Sequence, residues 1–284
     1  MYRRRVRDTD LCEANFNKLY LGQLANPVDV VYGQVEEDCE FYYRSDDGKD
    51  VVIARLVNLA LSEKLIAETA KWTSTVKGDG GNAGKIIAPG AMMSRERKDG
   101  SFGFTKEVPQ SIRDALAKRG WERNHLGWVD RDVRNGDCRP WSWSLERPDI
   151  HAAAEPLVKA VSLVFKEEVP EPYGRQAEFM RHVHPHFKFP ESIYSDCTVN
   201  RNVRTAGHYD DKDFRGGLGN LIVIAGGGEH GGAILLPRWG IALNPRPTAV
   251  LFMNVHDLHC NLPFVGERQT VVLYTREHLD QCGR

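Results

Sequence analysis

The hydrophobic pattern gives the two halves of the chain different textures. Over residues 50–72, DVVIARLVNLALSEKLIAETAKW, apolar positions recur near the helical period and predict a helix, with a short strand ahead of it. Residues 151–168, HAAAEPLVKAVSLVFKEE, carry a second helical stripe despite Pro156, and residues 109–119 suggest a shorter helix. A hairpin is predicted over 94–108 around Asp99-Gly100, and the glycine-rich run 78–90 reads as loop. From about residue 193 the runs become short, β-rich and broken by glycine, proline and asparagine. Strands are predicted at 193–200, 203–208, 219–225, 232–236, 248–254 and 269–275. Many short strands at close spacing point to an antiparallel sandwich or barrel, and their regular breaks favour a double-stranded β-helix, or jelly roll. The predicted class is therefore α+β: a jelly-roll core over 146–284 with supporting helices on one outer face, and an N-terminal extension over 1–145 packed on it as a candidate substrate-contacting surface.

Composition narrows the function classes. The chain has 284 residues, 41 % apolar and 27 % charged, enough for a full core and ordinary for a globular protein. Its net charge of −1 counts against a dedicated tight binder of nucleic acid, and it leaves room for a local basic patch or a transient encounter. No apolar run reaches the roughly 18 residues that span a bilayer. The start, MYRRRVRDTD, is basic but has no apolar stretch after it, so no secretory signal is read and an intracellular, cytoplasmic or nuclear, protein is expected. Cysteines at 12, 39, 138, 197, 260 and 282 form no C-x-x-C pair, and reduced thiols are the simple expectation. No phosphate-loop spacing can be written through Lys85.

Chemistry concentrates in TAGHYDDKD, residues 205–213. On an extended strand, positions two apart share a face, so His208 and Asp210 would project an imidazole and a carboxylate into one cavity. A second histidine from a distant strand would complete a 2-His-1-carboxylate facial set, which leaves iron three open positions for a 2-oxo acid and oxygen. Downstream, TAVLFMNVHDLHCNLPFVGERQTVVLYT over 248–275 supplies it. His259 is preferred to His256 because of its spacing to Arg268 and the L-P-F turn that follows; His256 then becomes a turn or supporting residue. Arg268 and Thr270 are again two apart, and a guanidinium fork with a hydroxyl suits the distal carboxylate of a diacid such as 2-oxoglutarate. Arg204 is a weaker candidate for an inner carboxylate contact. Asn200 and Asn202 flank a predicted strand end and could bind co-substrate or substrate, or cap a turn.

Together, H-x-D, a distal histidine and R-x-[ST] resemble the 2-oxoglutarate/iron(II) dioxygenase superfamily. Within it, SDCTVNRN before the H-x-D, GGAILLPRWGIAL at 231–243 and HCNLPFVGERQTVVLYTRE at 259–277 resemble the TET/JBP group of nucleic-acid base oxygenases. The resemblance implies iron(II), 2-oxoglutarate and molecular oxygen as partners in the chemistry. It also implies hydroxylation of the methyl group of 5-methylcytosine or thymine in DNA. A free nucleotide, a nucleoside or another small molecule, and a protein side chain, remain alternative substrates. By resemblance Asp213 lies where the group often has a base-contacting polar residue, and Tyr274 lines the substrate side. Arg276 stands where several members carry a histidine that helps read the base, so the base preference stays open.

Three further features invite function. His182, His184 and His186 alternate in RHVHPHFKFP, but Pro185 interrupts the strand that would align them, and a loop at the site mouth is the better reading. The W-S-W-S run at 141–144 could stack on a base, although tryptophan more often packs a core. Arg95, Arg97, Lys98, Arg113, Lys118, Arg119, Arg123, Arg131, Arg134 and Arg139 are interleaved with acidic residues, and form either a phosphate-contacting face or a solvated mixed surface.

Overall fold

The computed structural model describes residues 2–5, 34–77, 94–96, 102–104, 122–130, 138–205 and 207–283. In chain order the described strands are β1 (Tyr2–Arg5), β2 (Gln34–Val35), β3 (Cys39–Arg44), β4 (Asp50–Val57), β5 (Ser94–Glu96), β6 (Phe102–Phe104), β7 (Glu122–Val129), β8 (Arg139–Pro140) and β9 (Asp196–Arg201). They continue as β10 (Gly219–Ala225), β11 (Ile234–Leu236), β12 (Ile241–Leu243), β13 (Val250–Met253), β14 (Cys260–Asn261) and β15 (Gln269–Tyr274). The helices are α1 (Glu63–Thr73), α2 (Ser142–Glu146), α3 (Pro148–Glu168) and α4 (Pro170–Arg181).

Nine strands form one sheet in the order β1-β3-β4-β13-β10-β15-β9-β7-β8, and four form a smaller one, β14-β11-β12-β2. Alternation along β15 divides the core. Val271 and Leu273 point to the helices, joining Ile222, Phe252, Leu157, Val161 and Phe165 in one cluster. Val272 points the other way, where Leu221, Val223 and Leu251 meet Ile234, Leu236, Trp239 and Ile241 of the smaller sheet. A two-sheet sandwich with helices on one outer face is the predicted jelly-roll architecture. Among the described residues, no helix is long and apolar enough to cross a membrane.

The strands predicted in the second half fall close to β9, β10, β11, β13 and β15, and the hairpin at 94–108 is present as β5 paired with β6. Three expectations change. Over residues 50–72 the strand expected ahead of the helix is present but longer, and the helix is shorter: the β-branched run of β4 pairs with β3 and β13, Leu59 takes φ 51°, and α1 starts only after Ser62, whose hydroxyl accepts from Leu65 N–H at 3.2 Å. Residues 203–208 make isolated bridges rather than a full strand. Reduced thiols do not hold throughout, since Cys138 and Cys282 form a disulfide across 144 positions, while Cys39, Cys197 and Cys260 are buried and outside that bond. The helix read at 109–119, the loop at 78–90 and the basic positions 97–119, 131 and 134 lie outside the described residues.

Described strands from the first 145 residues are hydrogen-bonded into the main sheet on both sides of its centre. β4 pairs with β13, and β7 pairs with β9.

Candidate metal and co-substrate site

His208 and His259 meet as an isolated antiparallel bridge, each backbone N–H donating to the other's carbonyl at 3.1 Å. Their rings lie 4.3 Å apart, centroid to centroid. Asp210 is held by its N–H, which donates to the Val255 carbonyl at 3.0 Å. Its Oδ2 then stands 3.4 Å from His259 Nε2 and 3.9 Å from His208 Nε2. One donor atom from each of the three residues lies within 4.8 Å of the others. An ion about 2.1 Å from each donor would hold them at most about 4.2 Å apart, so the two imidazoles and the carboxylate fit one iron(II) after a small inward movement.

The loop that delivers His259 is braced. His259 Nδ1 lies 3.0 Å from the Asp257 carbonyl. A carbonyl only accepts, so Nδ1 carries the proton and Nε2 keeps its lone pair for a metal. The Asp257 carboxylate accepts from Trp239 Nε1 at 3.0 Å and Asn254 Nδ2 at 3.2 Å, with Arg238 3.5 Å away. The P-R-W element thus fastens the ligand loop to the smaller sheet. His256 is outside the cluster: it is half-buried, and burial first, then the nearby Arg215, lowers its pKa. His182, His184 and His186 are exposed.

Arg268 is buried at the head of β15, its Nη2 donating to the Gly232 carbonyl at 3.0 Å, and burial pushes its pKa down to about 10. No carboxylate offsets that shift, so the guanidinium is a desolvated cation suited to an anion. Thr270 is buried on the same face and accepts from Asn200 Nδ2 at 3.5 Å. Asn202 stands behind Arg268, its Oδ1 accepting from the Arg268 N–H at 2.9 Å and its own N–H donating to the Arg268 carbonyl at 2.8 Å. Arg204 is half-buried in the loop that leads to His208.

Beyond the metal cluster a second group of side chains lines the same inner face. Tyr274 is buried; its hydroxyl lies 3.3 Å from Thr198 Oγ1 and 3.3 Å from His125 Nδ1. Arg276 lies 5.6 Å from the Tyr274 ring and 5.5 Å from the Trp141 ring, and 3.7 Å from the Asp130 carboxylate. Burial alone would lower its pKa, but Tyr274, Asp196, Asp130 and Asp213 outweigh it and hold the guanidinium above its ordinary value. Asp213 forms an isolated bridge with Arg276. Trp141 stacks on His125 at 4.6 Å and donates Nε1 to Asp196 at 2.7 Å, whereas Trp143 is core. Of the W-S-W-S run, Trp141 therefore reaches the site and Trp143 packs.

Sequence reasoning named Arg123 only within a candidate phosphate-contacting face and did not single out His125 or Asp196, all three of which neighbour Tyr274 or Arg276. A signal was present. In ERNHLGWV, Leu126 and Trp128 alternate with Arg123 and His125, the two-residue period of a strand whose polar side faces inward.

The comparisons agree with this geometry. Residues 134–277 match the Tet_JBP model, the oxygenase domain of the 2OGFeDO superfamily. The chain is 31 % identical over 125 residues to thymine dioxygenase JBP1 of Trypanosoma brucei brucei, and 33 % identical over 156 residues to the bifunctional helicase and thymine dioxygenase JBP2 of Trypanosoma cruzi. These matches cover 44 % and 53 % of this chain but 14 % of each relative, so the chain spans a small part of their length. The structure of NgTET1 in complex with 5mC DNA shares the fold, with a TM-score of 0.60 at 11 % identity over 88 % of this chain and 80 % of that one. With residues 134–277, half of its length, matched by that model, the chain belongs to the Tet/JBP family of 2-oxoglutarate/iron(II) oxygenases.

Proposed function

We propose that the chain hydroxylates the methyl group of a 5-methylpyrimidine base in DNA. The observation that carries this reading is the convergence of His208, Asp210 and His259, together with the buried guanidinium of Arg268. Relatives that share 31–33 % identity are named thymine dioxygenases, which supports a base as substrate. His208, Asp210 and His259 would hold iron(II), with Arg268 and Thr270 gripping the distal carboxylate of 2-oxoglutarate and orienting it. The bound iron, with oxygen, supplies the oxidation that turns 2-oxoglutarate into succinate and carbon dioxide and a methyl C–H into C–OH.

This chain's own residues do the remaining work. Asn202 fixes the Arg268 backbone, and the buried walls of both sheets exclude water. Trp141, Tyr274 and Arg276 form the wall against which a base would lie, with Asp213 and Asn200 at its edges. The first 145 residues contribute to that wall through β7 and Trp141, beyond packing on the core. A base in duplex DNA must leave the stack to reach such a site, at a cost of a few kcal/mol.

The test is incubation with iron(II), 2-oxoglutarate and DNA containing thymine and 5-methylcytosine, followed by mass spectrometry of the released nucleosides. A hydroxymethyl base supports the reading. Unaltered DNA, with succinate formed on free nucleosides or nucleotides, would move the substrate to a small molecule, the alternative that the near-neutral net charge favours.

A further inference from the structure

Arg123 carries two buried guanidinium nitrogens, Nε and Nη1, that have no hydrogen-bond partner among the described residues. It lies on β7, outside the stretch matched by the family model. In the register of the main sheet it stands opposite Asn200, which in turn stands opposite Thr270. Opposed residues of neighbouring strands share a face, so Arg123 projects to the side of the sheet that carries Thr270, Thr198 and Tyr274. The charged and polar groups that act on it are Tyr274, Asp210 and Arg276, the first two attracting its charge and the third repelling it. Burial outweighs these and lowers its pKa.

Burying guanidinium N–H groups without partners is costly, and two such nitrogens on one side chain, where Arg55 and Arg276 each leave only Nε buried without a partner, call for an acceptor. Asp210 does not relieve the cost once it ligates a metal, because its charge is then shared with the ion. Arg276 already faces Asp130, Asp196 and Asp213. Arg123 is therefore left to meet whatever is bound beside the metal.

Resting on the function proposed above, we infer that Arg123 is a specificity-determining residue that donates to the 4-oxo group of the base, so that the site prefers thymine to 5-methylcytosine. The argument is positional. The methyl group must lie near the metal ligands, and the ring substituent next to it is the one at C4. Arg123 lies within electrostatic reach of Asp210 and Tyr274, so its donors can meet a ring substituent next to that methyl group. Thymine presents a carbonyl there, an acceptor; cytosine presents an amino group, a donor. An arginine has donors only, so it pairs with the first and opposes the second.

The experiment uses the full chain with iron(II), 2-oxoglutarate and matched single-stranded oligonucleotides carrying one thymine or one 5-methylcytosine. Rates are compared for the parent, Arg123→Gln and Arg123→Lys, and the KM for 2-oxoglutarate is measured in each. The parent is expected to favour thymine about ten-fold or more, as for one hydrogen bond to a charged group. Arg123→Gln, whose amide both donates and accepts, should lose most of that preference by slowing on thymine, with the KM for 2-oxoglutarate unchanged; Arg123→Lys should keep it in part. A parent that prefers 5-methylcytosine, or a preference that survives Arg123→Gln, overturns the assignment. A rise in the KM for 2-oxoglutarate with unchanged selectivity overturns it too, and moves Arg123 to the co-substrate. If neither base is altered while succinate forms on another substrate, the DNA reading itself fails, and the role of Arg123 with it.

Discussion

Gly232 and Arg268 interlock: the glycine carbonyl accepts from the guanidinium, and a Cβ on the glycine would stand 2.5 Å from Arg268 Nε. The glycine also sits at φ +83°, a conformation other residues rarely adopt. Gly232→Ala is expected to displace the guanidinium and raise the KM for 2-oxoglutarate about ten-fold or more, with metal stoichiometry retained. Parent-like kinetics in the variant would show that the guanidinium position does not set co-substrate affinity.

The brace behind His259 gives a second prediction. Asp257→Ala removes the carboxylate that ties the ligand loop to Trp239 and Asn254 without touching any proposed ligand. Loss of such a supporting group usually costs about 10–100-fold in metal affinity. Titration with iron(II) or a spectroscopic substitute should show that loss, and a much larger one for His259→Ala. Equal affinities in Asp257→Ala and the parent would show that the loop holds its shape unaided.

Asp196 sets a pH dependence. It is completely buried, and burial raises its pKa to about 7, against the smaller opposing pull of Arg276, Ser195 and Trp141; Asp130 adds to the rise. Between about pH 4 and pH 7 the folded chain keeps a proton that the unfolded chain releases. Stability therefore falls as pH rises across that window, by at most about 1.4 kcal/mol per unit. Asp196→Asn keeps an acceptor for Trp141 Nε1 and should flatten the slope in denaturant titrations from pH 4.5 to 7.5. An unchanged slope would assign the proton to another group.

The Cys138–Cys282 disulfide ties the approach to β8 and Trp141 to the end of the chain. Closing so long a loop is worth at most about 5 kcal/mol in the chain-entropy account. Reduction, or Cys138→Ser, should lower the unfolding midpoint and loosen the segment before Trp141. Identical denaturation curves with and without reductant would show that the bond adds nothing to stability in solution.

The candidate site was more legible than the scaffold, for physical reasons. His208-x-Asp210, His259 and Arg268-x-Thr270 depend on residue types that few other sites need, at spacings set by strand geometry. β10 and β15 were readable because both faces are buried and their apolar runs are continuous. β4 merged with α1 in the reading because VVIARLV and the helix share a long apolar stretch; the boundary lies in the turn at Leu59 and the cap at Ser62. β7 escaped because its inner face is polar, Arg123 and His125 standing where a half-buried strand normally shows apolar side chains. The pairing of Cys138 with Cys282 follows from the approach of distant segments, which spacing does not encode.

The seating of β7 against β9 and of β4 against β13 means that the segment carrying the family signature is not self-sufficient. A fragment beginning at residue 134 would keep every proposed metal ligand and Arg268, yet would leave two rows of backbone donors and acceptors bare along the middle of the main sheet. Such open edges invite pairing with other chains. Loss of catalytic competence on trimming would thus arrive first as insolubility, before any change at the iron.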